Sequence, residues 1–326
     1  MSDRVLVTGG AGFIGSHLCE ALCKQGRTVV VLDDLSTGNR SNLDGLPLTF
    51  VHGSVTDPAA VARAMAGAQK VVHLAALPSV ARSVDKPLDT HHACATGAAT
   101  VLDAARVAKA RVVYAGSSSA YGNQDVLMKH EGLREDPLSP YAASKLAGEL
   151  YCRSFARVYG LPVVVTRFFN VFGPRQPADS PYSGVIAAFS RLLLAGKPVR
   201  IDGDGLQARD FTYVEDLVAG VIACLDADSS GCQTVNLAYG HSTTVLDVYA
   251  ELCRLLRQAL AKQGLGARSI PEPVFAPSRA GDVRHSLADT TRAKQQFGFA
   301  PRIGFAEGLQ RTFDWYRQLA DRSNQQ

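Results

Sequence analysis

The chain has 326 residues, of which 46% are hydrophobic and 20% charged, an ordinary globular make-up with apolar material for one large core or two smaller ones. A formal net charge of +4 is small for this length and is not gathered into a basic stripe, so no nucleic-acid partner is expected. No uncharged apolar run approaches the roughly eighteen residues of a membrane span, and no charged-then-apolar leader precedes the first strand-like run; a cytoplasmic protein without a membrane partner is expected.

In chain order, short apolar runs rich in β-branched residues predict strands at 4–8, 28–32, 48–51, 71–74, 111–114 and 163–167. Helical patterns at 14–25, 59–66, 96–108 and 140–159 lie between most of them. Strands alternating with helices imply right-handed βαβ units, hence an α/β fold with a doubly wound parallel (Rossmann) sheet. After Phe169 the rhythm changes. Residues 170–184 are rich in Pro and Gly and read as a long functional loop, followed by helices at 185–195, 245–263 and 306–319 and a Pro-rich stretch at 271–282. This part is expected to form a smaller, interleaved α/β substrate domain. The expected division is 1–169 plus about 211–245 for the first domain, and about 170–210 plus 246–326 for the second, with a frayed tail after Ala320.

Seven cysteines without a C-x-x-C pair read as reduced thiols, with Cys19 and Cys23 as small core residues. His91 and His92 are adjacent, poor geometry for one metal, and His17 and His73 sit in core-like patterns, so no metal site is expected.

Residues 5–15 read VLVTGGAGFIG, a strand running into Gly9-x-x-Gly12-x-x-Gly15 and then an amphipathic helix. The first glycine permits a tight turn, the second lets backbone approach a pyrophosphate, and the third lets helix pack on strand. The helix N-terminus then offers its free N–H groups and dipole to the phosphates. The second strand ends in Asp33, about twenty residues on, where an acid binds both ribose hydroxyls and repels a 2′-phosphate. NAD rather than NADP is the expected cofactor. Phe13, Ile14, Ser54, Val55, Leu74, Ala75 and Ala76 flank the same strand ends and complete the expected cofactor contacts.

Tyr141 and Lys145 form Y-x-x-x-K at the start of a helix, with Pro140 in its first turn. A spacing of four puts both on one face. The phenol's ordinary pKa of about 10 is too high for a base at neutral pH, and a nearby ammonium with a positive nicotinamide would favour the phenolate. Ser117 follows the strand VVYAG and can bond the reacting hydroxyl.

The segments TGGAGFIG, AGSSSAYG, SPYAASK, RFFNVFGP and GDGLQARDFTYVED, in this order, resemble the UDP-hexose 4-epimerase group of extended short-chain dehydrogenases/reductases, over nearly the whole chain. The resemblance implies that Tyr141 is general base and acid, that Lys145 tunes it and holds the nicotinamide ribose, and that Ser117 assists at the sugar hydroxyl. It implies Asn170, Arg209 and Arg279 at the diphosphate of a UDP-sugar and Asp282 at the uridine ribose. Two positions depart from the family pattern: Ser54 replaces an acid that meets the adenine, and Cys94 stands where an Asn is frequent. GDVRHSLAD and FGPRQ most resemble the UDP-N-acetylglucosamine 4-epimerase subgroup, and Ser286, seven positions after Arg279, is the small residue expected beside the sugar's C2 substituent.

The implied reaction is NAD-dependent 4-epimerisation through a transient 4-keto sugar, on UDP-N-acetylglucosamine and UDP-N-acetylgalactosamine and on UDP-glucose and UDP-galactose. A UDP-glucuronate epimerase, a 4,6-dehydratase or a decarboxylase stays open as an alternative, although Ser118-Ser119 stands where family dehydratases carry Asp-Glu and decarboxylases a Glu. A non-catalytic dinucleotide sensor is the remaining reading. The resemblance also implies a homodimer through a four-helix bundle, with Ala98, Ala99, Ala105 and Ala147 permitting close helix approach.

Overall fold

A computed structural model describes residues 3–179, 183–264, 269–278 and 283–323. Strand β1 (Arg4–Thr8) leads into helix α1 (Phe13–Lys24), then β2 (Thr28–Asp33), β3 (Leu48–His52), α2 (Pro58–Met65) and β4 (Lys70–His73). Short helices α3 (Val80–Asp85) and α4 (Pro87–His91) follow, then a π turn (His92–Thr96) that feeds α5 (Gly97–Ala108), β5 (Arg111–Ser117), α6 (Pro140–Tyr159) and β6 (Val163–Phe168). The remainder carries β7 (Val171–Phe172), α7 (Val185–Leu194), β8 (Arg200–Asp202), β9 (Ala208–Asp210), β10 (Thr212–Tyr213), α8 (Val214–Asp226) and β11 (Cys232–Leu237). Last come β12 (Ser242–Thr244), α9 (Val245–Lys262), β13 (Val274–Ala276), β14 (His285–Ser286), α10 (Thr291–Phe297) and α11 (Phe305–Ser323).

Seven parallel strands form the main sheet in the order β11-β6-β5-β4-β1-β2-β3. Alternate side chains go to opposite faces. Val5, Val7, Val29, Val31, Val72, Val113 and Val164 pack with α1 and α8 on one face. Leu6, Val30, Leu32, Val71, Val112, Tyr114, Val163 and Val165 pack with α2, α5 and α6 on the other. The strand order reverses between β1 and β4, the switch point at which doubly wound sheets bind ligands outside their carboxyl ends. The small strands pair beyond that edge as β7–β10, β12–β9–β14 and β8–β13.

Local chemistry sets the helix that carries the Y-x-x-x-K pair. Ser139 caps α6 by accepting from the Ala142 amide, Pro140 opens it, and Gly160, left-handed at φ +66, ends it. The capping box of Thr244 and Asp247 starts α9 in the same spirit. Among the described residues no helix is long and apolar enough to cross a membrane.

Three findings depart from or go beyond the sequence expectations. Strand β11 reads CQTVNL, in which Gln233 and Thr234 are half-buried at the sheet edge and Asn236, fully buried, is satisfied by the Tyr121 hydroxyl and the Lys129 and Asp289 carbonyls. Helix α8 contacts the same face as α1 and carries no cap side chain to announce it. Ala98 and Ala105 are fully buried against the sheet, so they cannot form a contact face for a second copy. The exposed apolar side chains of α5 and α6 are instead Val107, Leu150, Tyr151, Val158 and Tyr159.

Candidate active site

The carboxyl ends of β1, β2, β4, β5 and β6 open into one cavity of about 770 Å³. Gly9, Gly12, Phe13, Ile14, Gly15, Asp33, Ser54, Val55, Leu74, Ala75, Ala76, Ser117, Tyr141, Lys145 and Asn170 all line it. The strand ends and one helix face therefore bring together residues that lie far apart in sequence.

At one end the backbone is packed too tightly for side chains. A Cβ on Gly9, at φ +71, would lie 2.7 Å from the Ala75 nitrogen, and one on Gly15 would lie 2.1 Å from the Gly9 oxygen. Helix α1 starts at Gly12 with no side chain capping it, so its first N–H groups face the cavity. Asp33 accepts from the Ala11 amide at 2.9 Å and the Leu35 amide at 2.8 Å. Burial raises its carboxyl above the usual range and the two amides oppose that shift. A bare glycine turn, an uncapped helix start and a fixed carboxylate fit a dinucleotide: pyrophosphate at the turn, ribose at Asp33. Ser54 bonds the Thr56 hydroxyl at 2.9 Å, and the nearby Asp57 is turned away to cap α2. No acid from this loop reaches the cavity wall, as the departure at Ser54 implies.

At the other end Lys145 is almost fully buried, its ammonium 4.5 Å above the ring of Tyr114. The Tyr114 hydroxyl donates to the Lys145 carbonyl at 3.0 Å, which fixes the ring as the floor of the site. Burial lowers the Lys145 amine, while Cys94, Glu149 and Cys152 act to hold it up. Burial raises the Tyr141 phenol well above its usual value, the Cys94 thiol adds to that, and a hydrogen bond with Ser117 opposes it. Ser117 also bonds the Ser119 hydroxyl at 2.8 Å. Cys94 lies buried in the π turn, close enough to act electrostatically on both Tyr141 and Lys145. One turn beyond Lys145, Glu149 pairs with the fully buried Arg167 at 2.7 Å, and Glu135 meets the same guanidinium at 2.8 Å.

Asn170, held at φ +27, donates its amide to the Asp210 carbonyl at 3.3 Å. Arg209 and Ser286 are register partners on β9 and β14 and are not among the residues that line the cavity. Asp210 is buried behind them and accepts from the amides of Tyr239, Gly240 and Ala288; burial pushes its carboxyl up to about 7 against those bonds. Arg279 and Asp282 lie outside the described residues.

The cavity also takes in Gln176, Ser183 and Gly184 from the expected functional loop, and Ser79 and Arg82, which were not expected from sequence. Ser79 and Arg82 sit where the chain leaves β4 for α3, and Ser79 caps that helix by accepting from the Arg82 amide at 3.1 Å; a cap serine marks a helix start and carries no signal of a cavity.

The model of the NAD dependent epimerase/dehydratase family matches residues 5–238. A UDP-glucose 4-epimerase of Mycolicibacterium smegmatis is 38% identical over 322 residues, covering 96% of this chain and 98% of that protein. The solved UDP-glucose 4-epimerase of Thermotoga maritima, with UDP-glucose, is similar at a TM-score of 0.90 and 34% identity, covering 97% of this chain and 99% of that one. The UDP-N-acetylglucosamine 4-epimerase of Methanobrevibacter ruminantium, in complex with UDP-N-acetylmuramic acid, is similar at a TM-score of 0.89 and 35% identity, covering 98% and 100%.

Proposed function

The chain belongs to the NAD dependent epimerase/dehydratase family, and from that premise we propose that it inverts the C4 hydroxyl of UDP-hexoses, accepting the N-acetylated pair and the plain glucose and galactose pair. Its cofactor is NAD. The observation that carries the reading is the wall of the cavity beside Tyr141, which consists of Ser117, Ser118 and Ser119. Elimination of water across C5–C6 needs an acid and a base there, and serine hydroxyls supply neither at neutral pH. Reversible proton transfer at one hydroxyl needs only Tyr141 and a hydroxyl partner.

In the cofactor-free chain the buried phenol holds its proton. NAD, held at the glycine turn and Asp33, would supply a reversible hydride acceptor for C4 and a positive charge that would favour the Tyr141 phenolate. Tyr141 then receives the proton of the C4 hydroxyl, leaving a 4-keto sugar, and returns it after the sugar has turned over. Lys145, one helical turn away, lowers the cost of the phenolate in its ammonium form. Ser117, bonded both to Tyr141 and to Ser119, steadies the sugar oxygen while the proton moves. Asn170, Arg209 and Arg279 would hold the diphosphate and Asp282 the uridine ribose, so that the nucleotide stays fixed while the sugar rotates. Ser286, almost fully buried, is the proposed wall beside the C2 substituent. The exposed apolar side chains of α5 and α6 suit a homodimer through a four-helix bundle.

The test is to incubate the protein with UDP-glucose, UDP-N-acetylglucosamine and UDP-glucuronate separately and follow the sugars by NMR. Appearance of the C4 epimer of the first two is expected. A 4-keto-6-deoxy sugar or a pentose as product would replace epimerisation with dehydration or decarboxylation.

A further inference from the structure

Lys129 has no part in the mechanism above. Its amide donates to the Leu287 carbonyl at 2.8 Å, and its own carbonyl accepts from the Asp289 amide at 3.0 Å and the Asn236 side chain at 2.8 Å. These bonds seat it against the residues that follow Ser286. From there the side chain, 2% exposed, runs to the turn behind the serine run and donates to the Gly122 carbonyl at 2.7 Å. Gly122 lies three residues beyond Ser119, which lines the cavity. Lys129 thus links the turn behind the serine run to the segment that follows Ser286.

An ammonium has three donors, and among the described residues this one meets a single acceptor. Among the described residues, the nearby carboxylates are engaged elsewhere. Glu131 accepts from the Asn236 amide at 2.7 Å and faces Arg292 at 3.7 Å. Asp289 accepts from the Thr291 amide at 2.9 Å, and Asp210 takes three amides behind β9. The His130 ring accepts from the Gly132 amide. The charge that does reach Lys129 is that of Arg209, a like charge. Burial first, and Arg209 second, hold the amine down at about 8. A buried cation beside another cation, with donors to spare and no counter-ion among the described residues, is costly unless an anion completes it.

We propose that Lys129 is a substrate-binding residue whose ammonium takes an anionic oxygen of the sugar nucleotide at the junction of the serine run and the Ser286 strand. The inference rests on the nucleotide-sugar reading of the cavity. Two parts of such a ligand offer the oxygen: the phosphate next to the sugar, or a carboxylate carried on the sugar itself.

Calorimetric titration of the full chain with UDP, UDP-glucose and UDP-glucuronate tests it, in wild type, Lys129→Met and Lys129→Arg, with melting temperatures recorded alongside. Loss of a charge-assisted bond in Lys129→Met should weaken binding about tenfold or more, and Lys129→Arg should restore most of it. Weakening of all three ligands identifies the phosphate; weakening of UDP-glucuronate alone identifies the carboxylate. The ammonium form is the one that binds, so wild-type affinity should also fall as pH rises through about 8, and that fall should vanish in Lys129→Met. Affinities within about twofold of wild type in Lys129→Met, or losses that do not change between about pH 7 and 9, would make Lys129 a loop lock and overturn the inference. Wild-type protein that binds none of the three ligands overturns the nucleotide-sugar reading, and this inference with it.

Discussion

Gly148→Ala sets two effects of opposite sign against each other. Gly148 lies inside α6, where alanine is favoured over glycine by about 1 kcal/mol. Propensity alone therefore makes the substitution stabilising. The new Cβ, however, would lie 2.1 Å from the Tyr114 hydroxyl oxygen and 2.6 Å from the ring carbon that bears it. Tyr114 is fully buried between α6 and the sheet, so its ring has nowhere to swing. Overpacking of this kind costs about 1–3 kcal/mol, and loss of the hydroxyl's bond to the Lys145 carbonyl costs about 1 more. The clash wins, with a net loss of about 1–3 kcal/mol after the helix gain is subtracted. The same ring is the floor under the Lys145 ammonium, so turnover should fall with stability. Denaturant melts and epimerase rates measure both. Tyr114→Phe removes the nearest clashing atom, so the double variant should be more stable than the two single losses summed, by about 1 kcal/mol. A Gly148→Ala protein that is more stable than wild type by about 1 kcal/mol, with unchanged turnover, would refute the placing of Tyr114 beneath Lys145.

Ser286→Tyr should abolish turnover of UDP-N-acetylglucosamine while sparing UDP-glucose, as a kcat/KM comparison would reveal; equal effects on both would remove Ser286 from the sugar pocket. The Asp226 carboxylate is held down at about 2 by Arg27 first and Lys70 second, below its unfolded value of about 3.9. Its contribution is present above about pH 4 and is lost as pH falls through about 2, so Asp226→Asn should flatten the acid limb of a stability-against-pH curve. An unchanged limb would assign the acid loss to other carboxylates. Light scattering at micromolar concentration should give twice the chain mass, and Leu150→Lys with Val158→Lys should halve it; a wild-type monomer would leave the exposed side chains of α5 and α6 without a partner.

The nucleotide half of the site was readable because its chemistry is local. A glycine turn between strand and helix, and an acid at the end of the next strand, need no knowledge of distant residues. Tyr141 and Lys145 were readable for the same reason, being one helical turn apart. What tertiary contact alone creates was not. The floor under Lys145 comes from Tyr114, thirty-one residues away, which reads in sequence as one more apolar strand residue. The Glu149–Arg167 pair buries a guanidinium in a strand that looks like VVVTRF, and nothing in that string announces its partner. Lys129 sits in a loop and looks exposed until Ala288 and Gly122 close over it. Strand β11 lacks the continuous apolar run of an interior strand because Gln233 is half-buried at the edge and the buried Asn236 finds its partners in Tyr121, Lys129 and Asp289, all distant in sequence. The Ala98 and Ala105 expectation failed because small residues on α5 serve equally to seat a helix on its own sheet.

Epimerisation without net oxidation is the central claim, and the hydrogen at C4 reports on it directly. UDP-N-acetylglucosamine carrying deuterium at C4 should be converted by the wild-type protein to its C4 epimer with the label still at C4 and no exchange with solvent, as NMR and mass would record. Tyr141→Phe should fold as wild type does and carry out the same conversion slower by about two orders of magnitude or more. Deuterium lost to water or found on another carbon, or Tyr141→Phe turning over at the wild-type rate, would contradict the mechanism.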